Sequence, residues 1–339
     1  ALHGTSIVSV PPALAKAGFT NVQLVEAQST PDGNFPTVAS PNPEESAALA
    51  MAVAQAEATG ADLVIGCDPD TDRVGIAVND GTGKMQLLNG NDTAALLVHY
   101  ILDAYKTNGT LPANGFTAAT VVTTDLIADI SAAYGVPCYR CLTGFKWIAD
   151  IINNKPEEQF LVGGEESYGY LIGDEVRDKD AVASAVMIAE MAANAKAQGR
   201  TVLQQLEAIH REFGQYQERL IAVTKKGRSG AQEIADMMTA LRNDPPKTLA
   251  GSPVIIAIDH GKSTQTDLLT GATSSTELPA SNVLQFITEA GDKVSARPSG
   301  TEPKIKFYFS VRATTGDSHA ATKAELERKI DTFIEELNL

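Results

Sequence analysis

The densest chemistry in this sequence lies in Gly66-Cys67-Asp68-Pro69-Asp70-Thr71-Asp72-Arg73. Three carboxylates at i, i+2 and i+4 follow the short apolar run Leu63-Val64-Ile65. In an extended or looped backbone this spacing lets all three converge on one point, where their mutual repulsion calls for a cation. Oxygen-only ligands favour a hard ion, Mg²⁺ first. The apolar run reads as a buried parallel strand, and the end of such a strand is where α/β folds place their sites. An EF-hand loop would want Gly at its sixth position and Glu at its twelfth; Arg73 and Asn79 stand there instead. A phosphatase with an aspartate nucleophile would carry Thr or Val where Asp72 sits. A solvated acidic turn is the plain alternative.

Strand and helix patterns alternate around this segment. Ile7–Val10 reads as a strand end, Asn21–Val25 as a strand, 44–59 as an Ala-rich helix and Val74–Val78 as an alternating strand. A second cycle follows: a helix from Asp92 with that residue as its cap, a strand over 117–123, helices over 125–134 and 144–153, a buried strand at Phe160–Val162, and helices over 180–198 and 202–213. Strands then outnumber helices up to a closing helix over 322–337, the rhythm of an α+β unit with an antiparallel sheet. The expected fold class is α/β: two consecutive α/β domains with mixed or parallel sheets, 1–82 and 83–213, then a smaller α+β domain, 214–339.

At 339 residues the chain is long enough for two or three domains. Its net charge of −15 argues against nucleic acid as the main partner, and no apolar run approaches a membrane span. Three cysteines give no disulfide framework and suggest a reducing compartment, here the cytoplasm. Cys138 and Cys141 form a C-x-x-C without a second pair, on what reads as a strand, so packing is the expected role.

Further segments are distinctive: Thr143-Gly-Phe-Lys146-Trp147, Gly164-Glu165-Glu166-Ser167-Tyr168-Gly169, Arg177-Asp178-Lys179-Asp180 and Arg297-Pro298-Ser299-Gly300-Thr301-Glu302-Pro303-Lys304. With Asp68–Arg73, their order resembles the α-D-phosphohexomutases of the phosphoglucomutase/phosphomannomutase kind, across essentially the whole chain. The resemblance implies that Asp68, Asp70 and Asp72 hold Mg²⁺ and that Arg73 supports the transferred phosphoryl group. Lys146 would belong to the sugar-loop segment. Glu165 and Ser167 would bond two neighbouring sugar hydroxyls, a task for which a carboxylate and a hydroxyl are suited. Lys179 would lie near the substrate. Arg297, Ser299, Gly300 and Thr301 would grip the phosphate that is not being transferred; Arg offers a planar fork of donors and Gly a close backbone approach. His3-Gly4-Thr5 resembles the start of the family's second domain.

The family's activity would be interconversion of hexose 1-phosphate and hexose 6-phosphate through a hexose 1,6-bisphosphate. The resemblance leaves the family's first domain, with the Thr-Ala-Ser-His-Asn-Pro loop whose serine carries the phosphate, without a counterpart. Ser40, in Ala39-Ser40-Pro41-Asn42-Pro43, lies too close to Asp68 to replace it and reads as loop. The chain is therefore expected to need that N-terminal domain of the same polypeptide as its partner and to be inactive alone. A phosphopentomutase, a non-catalytic phosphosugar-binding protein and a metal-dependent phosphatase are the alternatives.

Overall fold

A computed structural model describes residues 1–225, 229–300, 302–314, 316 and 318–339. The chain divides into two compact units, Ala1–Ile209 and His210–Leu339. The first opens with α1 (Ser6–Lys16), α2 (Ser46–Thr59), β1 (Leu63–Cys67), β2 (Val74–Asn79), β3 (Met85–Leu88) and α3 (Gly90–Thr107). It continues with β4 (Gly115–Thr120), α4 (Leu126–Ala133), β5 (Cys138–Cys141), α5 (Lys146–Asn154), β6 (Gln159–Gly164), β7 (Tyr170–Ile172) and α6 (Ala181–Ala197). The unit boundary falls within α7 (Val202–Phe213).

Strands β1, β2 and β3 form an antiparallel meander, with Leu63 opposite Val78 and Cys67 opposite Val74. The expected parallel role of Leu63–Ile65 is thereby corrected. A parallel partner needs a crossover of a dozen or so residues, whereas only Asp68–Arg73 separates β1 from β2. The second sheet, in the order β5-β4-β6-β7, is parallel except for its last pair. Phe116, Ala118, Phe160 and Leu171 pack there against Phe145, Ile148 and Ile152 from the segment that contains α5.

Three local expectations are also corrected. Ile7–Val10 is helical: Ser6, Val10 and Leu14 are buried one turn apart along α1, and that packing outweighs the β-branched run. Asn21–Val25 joins no sheet. Val22 and Leu24 are exposed, and the segment lines a groove of about 370 Å³ with Leu14, Leu49, Ala56 and Val64, beside the edge of β1 that lacks a strand partner among the described residues. The cap of α3 is Asn89, whose side chain accepts from the Asp92 N–H at 2.8 Å while its amide donates to Asp92 Oδ2 at 2.9 Å.

The second unit contains β8 (Gln215–Thr224), α8 (Gly230–Asn243), β9 (Thr248–Leu249), β10 (Ser252–Asp259), β11 (Thr264–Asp267), β12 (Thr273–Ser275), β13 (Leu284–Thr288), β14 (Lys293–Pro298), β15 (Lys304–Ala313) and α9 (His319–Glu336). Its strands run antiparallel in the order β12-β11-β10-β13-β14-β15-β8, with β9 beside β10. Alternation along the strands turns Val294, Ala296, Ile305, Phe307, Phe309 and Val311 to one face, where Ile234, Met238, Leu326, Ile330 and Phe333 cover them. The α/β class with a closing antiparallel domain is as expected. No helix among the described residues is long and apolar enough to cross a membrane.

Candidate functional site

The Asp68–Arg73 loop is the hairpin connection between β1 and β2. Asp68 is fully buried. Its Oδ1 accepts from the backbone N–H groups of Asp72 (3.1 Å) and Arg73 (2.9 Å), and its Oδ2 accepts from Arg73 Nε at 2.7 Å. Burial pushes its carboxyl above the usual range; the guanidinium and backbone donors work against that without reversing it. Arg73 is held from its far side by Asn42 Oδ1 at 3.3 Å and Glu44 Oε1 at 3.2 Å. Its own proton is bound more tightly than usual: burial opposes the charge, and the bond to Asp68 together with the carboxylate charges of Asp68, Glu44 and Asp72 outweighs it.

The loop turns through Thr71, which has φ +64°, a left-handed conformation that costs a β-branched residue about 1 kcal/mol or more. Neighbouring elements hold it there. Thr5 Oγ1 meets Thr71 Oγ1 at 2.8 Å, and the Ala181 N–H donates to the Thr71 carbonyl at 3.3 Å. Carboxylate oxygens of Asp68, Asp70 and Asp72 lie within 4.8 Å of one another. Asp72 Oδ1 is buried without a hydrogen bond, with Arg73 Nε 3.5 Å away. Three carboxylates this close, one of them with a buried oxygen that no hydrogen bond satisfies, could hold a hard divalent cation.

The Glu165–Gly169 segment, between β6 and β7, is joined to this loop by backbone. Arg73 and Gly169 form a β-bridge, and the Val74 N–H donates to the Tyr168 carbonyl at 3.0 Å. Tyr168 has φ +68°. Glu165 is buried and its Oε1 accepts from the Gly144 N–H at 2.7 Å, so the Thr143–Trp147 segment is tied to the same place. Lys146, at the start of α5, is exposed and stacks its ammonium over Trp147 at 5.0 Å. Glu166 reaches the other way, accepting from Thr123 Oγ1 (3.1 Å) and Thr120 Oγ1 (3.3 Å); burial and the charge of Glu165 push it up to about 7. Lys179 Nζ lies 2.9 Å from Asp72 Oδ2 and 3.0 Å from Asp178 Oδ1. Its stem runs so close to Gly169 that a Cβ there would sit 2.3 Å from Lys179 Cδ.

In the second unit, Arg297 is near the end of β14, opposite Lys306 on β15, and Ser299 and Gly300 lie at the turn that follows; Thr301 falls outside the described residues. The Ser299 N–H donates to the Lys304 carbonyl at 2.7 Å and Ser299 Oγ accepts from the Glu302 N–H at 3.3 Å. Gly300 is open, with nothing within 4 Å of an added Cβ. Arg297 is half-buried and Gly300 is exposed; an arginine beside a glycine turn is a residue pairing that suits an anion.

Residues 1–82 match the family model described as phosphoglucomutase/phosphomannomutase, alpha/beta/alpha domain II, and residues 89–213 match that of alpha/beta/alpha domain III. The chain belongs to the phosphoglucomutase/phosphomannomutase family. A phosphoglucomutase of Staphylococcus epidermidis is 39% identical over 311 residues, which is 91% of this chain and 56% of that protein. The chain thus spans little more than half the length of such curated relatives. Among solved structures, the phosphoglucomutase parafusin from Paramecium, in an open form, matches with a TM-score of 0.65 at 17% identity, over 97% of this chain and 55% of that one. A phosphoglucomutase/phosphomannomutase family protein from Burkholderia thailandensis gives 0.63 at 17%, over 100% and 59%. At that identity the two share the fold.

Of the residues singled out from sequence, the fold brings Asp68, Asp70, Asp72, Arg73 and Lys179 into one cluster, with the segments of Glu165, Ser167 and Lys146 tied to it. Asn42 and Glu44, which anchor Arg73, went unnoticed. They lie 31 and 29 residues upstream, and the legible signal was only an Asn-Pro-Glu turn. Thr5 and Thr71 were missed likewise. His3 is packed: it is buried, with Nε2 2.8 Å from Thr37 Oγ1 and Nδ1 3.3 Å from the Thr30 carbonyl. Cys138 and Cys141 stand three apart on β5 and so face opposite sides of the strand. Cys67, buried next to Asp68, has its thiol pushed up to about 12 by burial.

Proposed function

We propose that this chain supplies the metal-, sugar- and phosphate-holding loops of a phosphohexomutase that interconverts hexose 1-phosphate and hexose 6-phosphate. In this reading residues 1–82, 83–213 and 214–339 are the family's second, third and fourth domains. The observation that carries it is the backbone pairing of Arg73 with Gly169, which ties a triad of carboxylates to a segment bearing Glu165 and Ser167. The family membership agrees.

Asp68, Asp70 and Asp72 would hold Mg²⁺, which when bound supplies positive charge to a phosphoryl group in transfer. The chain's own residues do the rest. Arg73 and Lys179 neutralise charge at the transfer centre, where positioning and electrostatics dominate the chemistry. Glu165 and Ser167, with Lys146 nearby, hold a sugar that binds in two orientations. Arg297, Ser299, Gly300 and Thr301 take the distal phosphate. Hexose 1,6-bisphosphate is the intermediate that such exchange requires. The residues assigned here bind and neutralise; none of them carries the phosphoryl group, so the 339-residue chain is expected to bind the phosphosugar without turnover. Turnover that survives Ser40→Ala would refute that last point.

The test is calorimetric titration of glucose 1-phosphate into the chain with Mg²⁺, alongside Arg297→Ala and Glu165→Ala. Binding weakened about tenfold by each substitution supports the assignment. Binding that neither affects sinks it.

A further inference from the structure

The proposed cation site already contains a cation on a flexible arm. Asp68 is held in place by two backbone donors and Arg73, which leaves its carboxylate one lone-pair site. Asp72 is different. Its Oδ2 is held by Lys179, whose ammonium is shared with Asp178, and its Oδ1 has no hydrogen bond. The lysine comes from the segment before α6, not from the loop itself. Its stem runs alongside Gly169, and its ammonium lies 5.5 Å from the centre of the Phe145 ring. The terminal bonds are therefore the part that can swing. A divalent ion drawing on Asp72 would meet this ammonium at close quarters, and two cations on one carboxylate repel.

We propose that Lys179 is an internal competitor for the cation site: its ammonium holds Asp72 until a divalent ion takes that carboxylate, and the displaced ammonium then becomes a free phosphate donor beside the ion. This rests on the reading of Asp68, Asp70 and Asp72 as metal ligands. It makes metal entry and the arming of a phosphate-binding group one event. The ammonium can return to Asp178 or swing towards an anion, whereas Arg73 stays pinned by Asn42, Glu44 and Asp68. The two cations of the site thus differ in role, one fixed and one released.

The sign of a single substitution separates this from a purely structural tether. Mn²⁺ is titrated into the 339-residue chain, followed by electron paramagnetic resonance, for wild type, Lys179→Met, Lys179→Arg and Asp70→Asn. A competitor predicts that Lys179→Met binds Mn²⁺ about tenfold more tightly while Lys179→Arg stays close to wild type. A tether predicts weaker binding in Lys179→Met. The second readout is acetylation of Lys179 by an activated ester, followed by mass spectrometry of its peptide, with and without saturating Mg²⁺. Release predicts a several-fold faster reaction with Mg²⁺. Unchanged or weaker Mn²⁺ binding in Lys179→Met, or acetylation that Mg²⁺ leaves the same or slows, overturns the proposal. Asp70→Asn keeps the two readings apart. If it binds Mn²⁺ as wild type does, the metal site is misassigned. If it loses binding while Lys179→Met changes nothing, only the competitor is wrong.

Discussion

The Asp68–Arg73 loop and the Arg297–Lys304 turn both join two antiparallel strands, yet they are built differently. In the first, a buried carboxylate takes two backbone donors and a guanidinium, and that guanidinium reaches two further residues from a distant loop. In the second, Ser299 Oγ accepts from the Glu302 N–H and the Ser299 N–H donates to the Lys304 carbonyl, both within the turn, and among the described residues nothing lies within 4 Å of a Cβ added at Gly300. A loop that must bring like charges together needs its geometry fixed beforehand, because nothing in the carboxylates favours convergence. A loop of neutral and cationic donors can take its final shape from the anion it binds, at little cost to the fold.

The largest test of this contrast is removal of Asp68. Asp68→Ala leaves the Arg73 guanidinium and two N–H groups without their acceptor and is expected to cost roughly 3–5 kcal/mol in urea denaturation. Trp147 is the sole tryptophan and lies in the first unit, so its fluorescence reports that transition. A loss below about 1 kcal/mol would mean the loop is not held as described.

Acidity gives a second separation, with opposite slopes. Glu166 in the first unit is pushed up to about 7, above its ordinary 4.5, so its contribution is fully present below 4.5 and is lost as pH rises through 7. His210 in the second is held down to about 4 by burial, with the nearby His319 and Lys323 charges adding to the effect; its contribution is present above 6.5 and is lost as pH falls towards 4. Glu166→Gln should stabilise the first unit by roughly 1–3 kcal/mol at pH 8 and by much less at pH 5. His210→Gln should flatten the acid-side loss of amide-exchange protection in β14 and β15. Slopes of the same sign in the two units would contradict these assignments.

A matched pair of glycine substitutions sharpens the comparison further. Gly169→Ala places a methyl against the Lys179 stem and is expected to cost about 1–2 kcal/mol while breaking the Lys179–Asp72 pair. Gly300→Ala meets nothing among the described residues and should stay within about 0.5 kcal/mol in thermal denaturation. The smallest effect on the fold belongs to Arg297→Ala, expected to leave the melting temperature unchanged. Equal costs for the two alanines would erase the distinction between the loops.

The sequence made the triad legible because its ligands are consecutive and its spacing carries the chemistry. It made β14 and β15 legible because Val294, Ala296, Phe307 and Phe309 alternate cleanly. It did not show that β1 runs antiparallel to β2, since a run of three apolar residues fits either ladder and the answer lay in the length of the loop that follows. Nor did it show that Asn42 and Glu44 close on Arg73, because a contact across some thirty residues leaves no local period. Asn21–Val25 has strand composition, but hydrogen bonding needs a neighbour, and the described residues place a groove there.

Cys67 gives this fold a clock. A thiol pushed up to about 12 has roughly a thousandfold less thiolate at neutral pH than one at the ordinary 9.0, so it reacts on the occasions when its surroundings open. Because it ends β1 immediately before Asp68, its alkylation rate is expected to follow the openings of that strand end, where the carboxylate loop begins. Any cation that fastens Asp68, Asp70 and Asp72 together should slow that clock in proportion to how rarely the loop then comes undone.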